Sequence, residues 1–168
     1  RNLLVILFSL IAVSFLSAKN YYVKPVSSGQ GSGISWAHAS NNLQDMINNA
    51  SAGDTICVAA GTYYGGFTLK DGVCMGGGFD GTERSFIDRQ FPGSGQNLTI
   101  LDGGNKQRVL TQEKDFSSRT VISGFVIQNG YALFGAGACL FNNTVLEACI
   151  IRHNIGGNAN IGDYIESL

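Results

Sequence analysis

The chain has 168 residues and a formal net charge of −1, and this length is enough for one domain with its own hydrophobic core. Its 23 glycines, 2 prolines and 14% charged residues are typical of many short strands joined by tight turns, and they argue against a helical protein. No run of basic residues occurs, so the composition argues against nucleic acid as a partner.

Residues 1–18, RNLLVILFSLIAVSFLSA, form an apolar segment that begins after an Arg and ends in small residues. This pattern predicts a secretory signal peptide. A membrane anchor is the alternative, but a transmembrane helix needs about 20 apolar residues and Lys19 follows too soon. We therefore expect a mature chain without a transmembrane helix, secreted or held at the outer membrane or cell surface. The absence of an initiator Met and the abrupt ending GDYIESL lead us to expect a piece of a longer protein.

Residues 19–54 are predicted to contain a short strand, NYYV, a Gly/Ser-rich loop and one helix. The helix is predicted over residues 41–51, because apolar residues recur there at i, i+3, i+4 and i+7. Ser40 or Asn41 is the predicted N-cap, and Gly53 lies just past the predicted end. The apolar face of this helix consists of Leu43, Met46, Ile47 and Ala50.

Residues 55–168 change to short apolar stretches separated by Gly, Asn and Asp, and this pattern predicts strands. Two stretches, TVISGFVIQNG and TVLEACIIRHN, align at an offset of 24 residues, with Val121 over Val145. A period of this size indicates a solenoid, in which each turn buries its inward residues against the next. The regular frame of leucine-rich repeats is missing, so the prediction is an all-β parallel β-helix. The helix at 41–51 would cover the open end of its first rung.

Three segments in order, GDTICVAAGTYYGG, GGGFDGTE and TILDGG, resemble the N-terminal part of right-handed parallel β-helix (pectin-lyase-like) proteins. Bacteria, including Bacteroidetes, export such proteins to the cell surface. The resemblance covers about residues 21–155, and it implies a signal peptide, a capping helix and a long β-helix, often followed by a sorting or anchoring module. Some members cleave acidic polysaccharides and others have no assigned reaction, so the resemblance does not by itself assign an activity.

The resemblance leads to two hypotheses about function. The first is a secreted or cell-surface protein that serves as a glycan-contacting or structural, adhesive module, with no catalytic residue in this segment. The alternative is the N-terminal part of a polysaccharide lyase or glycoside hydrolase that acts on acidic polysaccharide. A lyase of this fold would use an Arg or Lys base and a Ca²⁺ ion held by carboxylates. No other cofactor is expected.

The stretch MGGGFDGTERS, residues 75–85, has the G-x-G-x-x-G spacing of a dinucleotide-binding loop. Such a loop lies between a strand and a helix. GVCM supplies a strand, but the following TERSFIDRQFPGSGQN has no apolar helical period. We therefore expect no nucleotide cofactor, and we predict a tight corner between rungs in which the glycines adopt positive φ.

Charged residues cluster around this glycine loop. Asp80, Asp88 and Asp102 are the carboxylates that would hold Ca²⁺ if the segment contained a lyase-type metal site. A structural role is favoured, because neighbouring loop residues of opposite charge can form ion pairs or bond the loop backbone. The pairs are Glu83 with Arg84 and Asp88 with Arg89.

The four cysteines, Cys57, Cys74, Cys139 and Cys149, show no C-x-x-C spacing, which argues against a zinc site. If ICV stacks directly on VCM, Cys57 and Cys74 point outward side by side with Cα atoms about 4.8 Å apart. That distance is within reach of a disulfide. Cys149 aligns with Phe125 in the 24-residue repeat and is predicted to point inward.

Aromatic side chains are the candidates for glycan contact, since their rings stack on sugars and a Tyr or Trp also offers a hydrogen-bonding tip. The candidate residues are Tyr63, Tyr64 and Trp36, and shielding of the first rung is the alternative role for the two tyrosines. Asn129 and Asn154 end successive strands, where asparagine tolerates a left-handed backbone. His153 aligns with Asn129 and is predicted to occupy a turn.

Overall fold

The computed structural model of the chain describes residues 17–92 and 94–157, and the predicted signal peptide lies outside them except for its last two residues. The described part contains one α-helix, α1 (Leu43–Asn49), two 3₁₀ turns (Trp36–His38 and Phe86–Asp88) and fourteen strands. The strands are β1 (Asn20–Val23), β2 (Thr55–Ala59), β3 (Gly61–Tyr64), β4 (Phe67–Thr68), β5 (Cys74–Phe79), β6 (Thr99–Asp102), β7 (Leu110–Thr111), β8 (Thr120–Ser123), β9 (Phe125–Gln128), β10 (Tyr131–Ala132), β11 (Ala138–Cys139), β12 (Thr144–Glu147), β13 (Ile150–Arg152) and β14 (Ile155–Gly156).

All strand pairs in the described ranges are parallel, as the sequence predicts. Sheet 1 has the order β1-β2-β5-β8-β12, sheet 2 the order β3-β6-β9-β13 and sheet 3 the order β4-β7-β11, while β10 pairs with β14. The chain passes through sheets 1, 2 and 3 in turn and then returns to sheet 1 beside the strand it left. From β2 onward, consecutive strands therefore lie in different sheets, and each sheet is built from segments far apart in sequence.

The hydrophobic core lies between the three sheets, where equivalent residues of paired strands face one another. In sheet 1, Ile56 pairs with Met75 and Met75 with Ile122, and in sheet 2 Leu101 pairs with Ile127. All five side chains are at most 2% exposed. Since burying an aliphatic side chain contributes about 1.5–3 kcal/mol, these columns are a main source of stability.

The predicted offset of 24 residues is confirmed for the last pairs of strands. Thr120 pairs with Thr144 in sheet 1, and Val126 pairs with Ile150 in sheet 2. Cys149, in the place of Phe125, packs against the core as predicted. Earlier spacings differ, because connecting loops of unequal length separate the strands: Thr55 pairs with Cys74 but Met75 pairs with Ile122.

Helix α1 packs its predicted apolar face on the first strands, and Leu43, Met46 and Ile47 are buried in the core cluster. Its N-cap is Asn42, whose side chain accepts a hydrogen bond from the Asp45 N–H. The predictions of Ser40 or Asn41 as N-cap and of a helix over 41–51 were wrong by one to two residues. Ser40 still pairs with Val23 in an extended bridge, so the helix starts later.

Gln44 on α1 lies beside β4, at an edge of sheet 3 where residues 17–92 and 94–157 supply no further strand. Its Oε1 accepts from the Thr68 N–H at 2.8 Å, and its Nε2 donates to the Thr68 carbonyl at 3.1 Å. One amide side chain thus makes both hydrogen bonds that a neighbouring strand would make to β4. This contact fixes the helix to the sheet and satisfies backbone groups that would otherwise lose their partners.

Replacing Gln44 by Ala is expected to lower the free energy of unfolding by about 1–2 kcal/mol, because two backbone groups at the sheet edge lose their partners. Gln96→Ala is the matched control, since Gln96 is exposed on a loop and its loss should change stability by less than about 0.5 kcal/mol. Urea unfolding followed by circular dichroism measures both. Equal effects of the two substitutions would contradict the role assigned to Gln44.

Candidate functional site

The glycine-rich stretch 76–78 lies within strand β5 rather than at a corner. A Cβ on Gly76 would lie 2.6 Å from the Phe86 ring, and one on Gly78, where φ is +91°, would lie 1.7 Å from the Gln90 carbonyl oxygen. The glycines therefore allow the following loop, residues 80–92 and 94–98 (the covering loop), to fold back onto the outer face of sheet 1. The predicted corner with positive φ is found at Gly81, where φ is +93°.

The segment that follows the glycines contains a three-residue 3₁₀ turn, Phe86–Asp88, in place of the helix that a dinucleotide site requires. Phe86 packs against Phe79, with ring centroids 5.5 Å apart, and Trp36 also packs against Phe79, with ring centroids 5.5 Å apart. Tyr22 lies 4.8 Å from Trp36. These four rings form an aromatic cluster on the outside of sheet 1, separate from the core between the sheets.

Arg89 anchors the covering loop. Its Nη1 donates to the carbonyls of Gly77 at 3.3 Å and Ser123 at 3.2 Å, and its Nη2 donates to the Ser123 Oγ at 2.9 Å. The guanidinium also lies 4.3 Å from the Phe86 centroid and 4.6 Å from that of Phe91. Burial lowers the pKa of Arg89. The sequence predicted an ion pair with Asp88, but Arg89 instead connects the loop to β5 and β8.

The predicted ion pairs of Glu83 with Arg84 and of Asp88 with Arg89 do not form. The acidic residues of the loop instead accept hydrogen bonds from the loop backbone, which the sequence analysis gave as the alternative. The Glu83 carboxylate accepts from the N–H groups of Asp80, Gly81 and Thr82. Asp88 accepts from the Ser85 N–H and closes a capping box. Over residues 17–92 and 94–157 the one salt bridge is Arg119 with Glu147, at 2.9 Å.

The three candidate metal ligands lie in separate hydrogen-bonded environments. Asp80 accepts from Thr82, which lowers its pKa. Asp102 is 5% exposed; burial alone would raise its pKa, but hydrogen bonds from Gln128, Gly104 and Asn129 outweigh it and lower the pKa. No cluster of three potential metal ligands occurs in the described ranges, so the structure does not bring Asp80, Asp88 and Asp102 together, and their role as ligands of a lyase-type Ca²⁺ stays a conditional prediction.

The predicted register at the first cysteines is wrong by two residues. Cys57 pairs with Gly76, and Cys74 pairs with Thr55, so the two cysteines are diagonal neighbours rather than side by side. All four cysteines are free thiols, and the predicted disulfide between Cys57 and Cys74 is not formed. The stretch VCM is advanced by two positions from the start of the pair, at Thr55 and Cys74, and a bulge between Cys57 and Ala59 then brings Ala59 opposite Phe79.

The aromatic candidates for glycan contact fall in different environments. Tyr63 is 5% exposed, its hydroxyl donates to the Ala59 carbonyl at 2.9 Å, and burial raises its pKa. Trp36 belongs to the aromatic cluster, and its Nε1 donates to the Glu83 carbonyl at 3.2 Å. Tyr63 is buried as the shielding alternative predicts, Trp36 is half-buried in the aromatic cluster, and glycan contact by either residue stays a prediction. Tyr64 is 76% exposed and remains available to a ligand.

Tyr64 lies on the rim of a shallow depression of about 360 Å³ between α1 and the edge of sheet 2. Its polar lining, Asn41, Asn42 and Thr62, was not predicted, because the sequence placed Asn41 at the helix start and gave no sign that β3 runs beside it. No lining residue carries a charge: the set is Pro25, Asn41, Asn42, Leu43, Thr62, Tyr63, Tyr64 and Phe67.

The backbone of β3 adds hydrogen-bonding groups to this depression. Gly61 and Gly65 donate their N–H groups to Leu98 and Asp102 on the β6 side, each at 2.9 Å. Because alternate residues of a parallel strand bond opposite neighbours, the backbone groups of Thr62 and Tyr64 point away from β6. The described residues form no strand in sheet 2 beyond β3, so these groups face the depression.

A second depression, of about 340 Å³, lies on the outer face of sheet 1 beside the covering loop. Its lining mixes charges with small polar and apolar groups, among them Arg89, Glu147, Thr55, Cys74 and Phe86. The Arg89 guanidinium is already bonded to Ser123 and Gly77. Its position therefore suits a structural anchor better than the free base that a lyase would need.

Asn129 and His153 both have a φ of 53°, which confirms the predicted turn positions. Asn154 bonds the neighbouring layer: its Nδ2 donates to the Ile127 carbonyl, and its Oδ1 accepts from the Gly130 N–H. Asn129 donates to Asp102. These side chains link successive layers along the molecule, as expected for residues of the scaffold.

Comparisons of the chain with protein-family models, with curated proteins and with solved structures gave no match. Among the described residues, no helix has the length and apolar character needed to cross a bilayer. The site must therefore be interpreted from its own geometry.

Arg89→Ala is expected to lower the free energy of unfolding by about 1–3 kcal/mol, because the charged hydrogen bonds to two carbonyl groups and the Ser123 hydroxyl are lost. Protease cleavage within the covering loop should accelerate. Arg84→Ala is the control in the same loop, since Arg84 is exposed and should change stability by less than about 0.5 kcal/mol. Mass spectrometry of the first proteolytic fragments checks the prediction, and equal cleavage of both variants would contradict it.

Cys57 is expected to react with iodoacetamide far more slowly than the half-buried Cys74. Burial raises the pKa of Cys57 from 9.0 to about 12, which reduces its thiolate at pH 8 by roughly a thousandfold. Peptide mass spectrometry after brief labelling at pH 8 measures which of the two cysteines is alkylated first. The unfolded chain in urea, in which both cysteines are exposed, provides the control. Recovery of a Cys57–Cys74 disulfide in the native protein would contradict the register of β2 with β5, in which Cys57 pairs with Gly76.

The raised pKa of Cys57 also makes the free energy of unfolding fall as the pH becomes alkaline. Because the folded-state pKa is raised, the stabilisation by neutral Cys57 is complete below the unfolded pKa of 9.0 and is lost as the pH rises toward 12. A Cys57→Ala variant should lose this part of the pH dependence.

Proposed function

We propose that the chain is the N-terminal part of an exported right-handed parallel β-helix, and that it contacts neutral glycans at the depression beside Tyr64. Catalysis is not assigned to this segment. The observation that carries the glycan assignment is the highly exposed Tyr64 ring on the rim of a depression lined by uncharged polar groups.

Support for the β-helix comes from the topology. The chain returns to sheet 1 after each passage through sheets 2 and 3, always pairs in parallel and keeps its apolar residues between the sheets. Parallel crossovers are almost always right-handed. Helix α1 covers the start of the core, where a solenoid needs a cap to protect its apolar interior.

Support for a neutral glycan comes from the chemistry of the depression. A Tyr ring offers an apolar face to a sugar ring, and the Asn41 amide, the Thr62 hydroxyl and the free backbone groups of β3 match sugar hydroxyls as donors and acceptors. None of the described residues that line the depression is a cation that could pair with a uronate carboxylate. The volume lies near the lower limit of ligand pockets, roughly 300 Å³, which suits one or two sugar units.

Tyr64→Ala is expected to weaken binding of a neutral oligosaccharide about tenfold, since a stacked ring contributes roughly 1.5 kcal/mol. Tyr64→Phe keeps the ring and should stay within about threefold of the parent. Affinity electrophoresis with neutral β-glucans and mannans, and separately with polygalacturonate, compares the variants. Phe141→Ala removes another exposed aromatic ring, 51% accessible, and provides the control for nonspecific loss.

Failure of both the parent and the variants to bind any neutral glycan would overturn the glycan assignment and leave the structural role. Preferential binding of polygalacturonate would contradict the neutral ligand. Release of an ultraviolet-absorbing product from polygalacturonate with added Ca²⁺ would instead favour the polysaccharide lyase alternative. Melting curves of each variant exclude unfolding as the cause of lost binding.

A further inference from the structure

The depression beside Tyr64 contains an open strand edge, whereas the neighbouring sheets close their edges at the same end of the molecule. In sheet 1, the outer side of β1 is bonded by its own chain, since the Tyr22 carbonyl accepts from the Ser40 N–H at 3.0 Å. In sheet 3, the Gln44 side chain bonds both the N–H and the C=O of Thr68. The chain therefore supplies its own partners to the first strands of sheets 1 and 3.

Strand β3 of sheet 2 is the exception, and the residues that lie before it in the order of layers are all described. In chain order, the place beside β3 belongs to the residues that follow β1. Pro25 lies against the Cβ position of Gly61, at the start of β3. Residues 26–42 then form a loop and a 3₁₀ turn that lead to α1, rather than a strand of sheet 2. The outward N–H and C=O of Thr62 are thus left open to the depression, which Thr62 lines.

Gln44 shows which kind of group fits such an edge. Its amide carries an acceptor and a donor close together, and these meet the N–H and the C=O of one strand residue, Thr68, at 2.8 Å and 3.1 Å. The N–H and the C=O of one residue in a parallel strand point to the same side, so Thr62 offers the same pair of groups. A ligand that matches this pair must also carry a donor and an acceptor side by side.

We propose that the β3 edge at Thr62 binds two hydroxyl groups on adjacent carbons of a sugar ring. One hydroxyl accepts from the N–H and the other donates to the C=O, since a hydroxyl can do either. This inference rests on the proposed glycan function and names the class of glycan. In 1,4-linked and 1,6-linked hexose chains, O2 and O3 of each unit are free and adjacent. In a 1,3-linked chain, the free O2 and O4 are not adjacent, so the site selects against this linkage.

Tyr64 supports the same placement of the ligand. Its ring and the Thr62 side chain extend from the same face of β3, because alternate residues of a strand share a face. The two residues are about 7 Å apart along the strand, a length that one or two sugar units span. An added peptide strand fits less well, because β3 has four residues and only Thr62 and Tyr64 direct their backbone groups outward.

Sedimentation with particles of three β-glucans that differ in linkage tests the selection. The parent protein should bind 1,4-linked and 1,6-linked glucan about tenfold more tightly than linear 1,3-linked glucan, which cannot make both hydrogen bonds at once. Periodate followed by borohydride cleaves the bond between C2 and C3 of the 1,4-linked glucan and separates its two hydroxyls. The treated glucan should bind about as weakly as the 1,3-linked one.

Two substitutions at one position separate the backbone N–H from the side chain. Thr62→Pro and Thr62→Val both remove the hydroxyl, but only proline removes the N–H. Proline is tolerated in an edge strand where the N–H faces outward, and melting curves check that both variants fold. Thr62→Val should weaken binding to all three glucans alike and keep the preference for adjacent hydroxyls. Thr62→Pro should reduce that preference at least about threefold.

Equal binding of 1,3-linked and 1,4-linked glucan by the parent would overturn the selection by adjacent hydroxyls and leave the proposed glycan function standing. An unchanged preference in folded Thr62→Pro would also overturn it. If Thr62→Pro does not fold, the parent with treated and untreated 1,4-linked glucan decides, and equal binding of the two is the contradicting result. If the parent binds no neutral glycan at all, the proposed function fails together with this inference.

Discussion

Parallel pairing of successive strands is the constraint on which the rest of the structure depends. In a parallel sheet a residue meets its counterpart in the next strand at about 4.8 Å, so an inward position must remain apolar in every layer. Ile56, Met75 and Ile122 form one such column in sheet 1. Wherever the column continues, the connecting loops can change in length without disturbing the core.

The groups that we propose to contact a glycan lie outside these columns. Tyr64 and Thr62 are on the edge of sheet 2, next to which the described residues form no further strand. A strand edge exposes backbone and side-chain groups that inward positions must bury. The glycan contact that we propose therefore lies at the capped end of the molecule, separate from the core.

Much of the scaffold could be predicted from the sequence. The 24-residue alignment of TVISGFVIQNG and TVLEACIIRHN is the register of β8 with β12 and of β9 with β13. The apolar face of α1 was also predicted correctly. Strands β3, β4, β10 and β14 were not predicted, because their sequences GTYY, FT, YA and IG do not form an apolar stretch that stands out from the loops around them. Their pairing depends on neighbours distant in sequence.

The candidate site was less predictable. Tyr63 and Tyr64 are adjacent and identical in type, yet one is buried and the other exposed, because successive side chains of a strand point to opposite faces. Arg89 was assigned to an ion pair with its neighbour, whereas in the fold the Ser123 carbonyl, 34 residues away, accepts its hydrogen bond. Sequence proximity gives no information about such a partner.

The sequence by itself determined the strand-rich composition, the apolar columns and the helix that covers their start, because these follow from local propensity and periodicity. Only the tertiary structure decided the register of β2 with β5. A two-residue shift keeps the same side chains facing inward, so periodicity cannot distinguish the two alignments. In the observed alignment Cys57 pairs with Gly76, and Phe86 and Gln90 pack closely over Gly76 and Gly78. The glycine stretch that resembles a phosphate-binding loop is the part of β5 on which the covering loop rests.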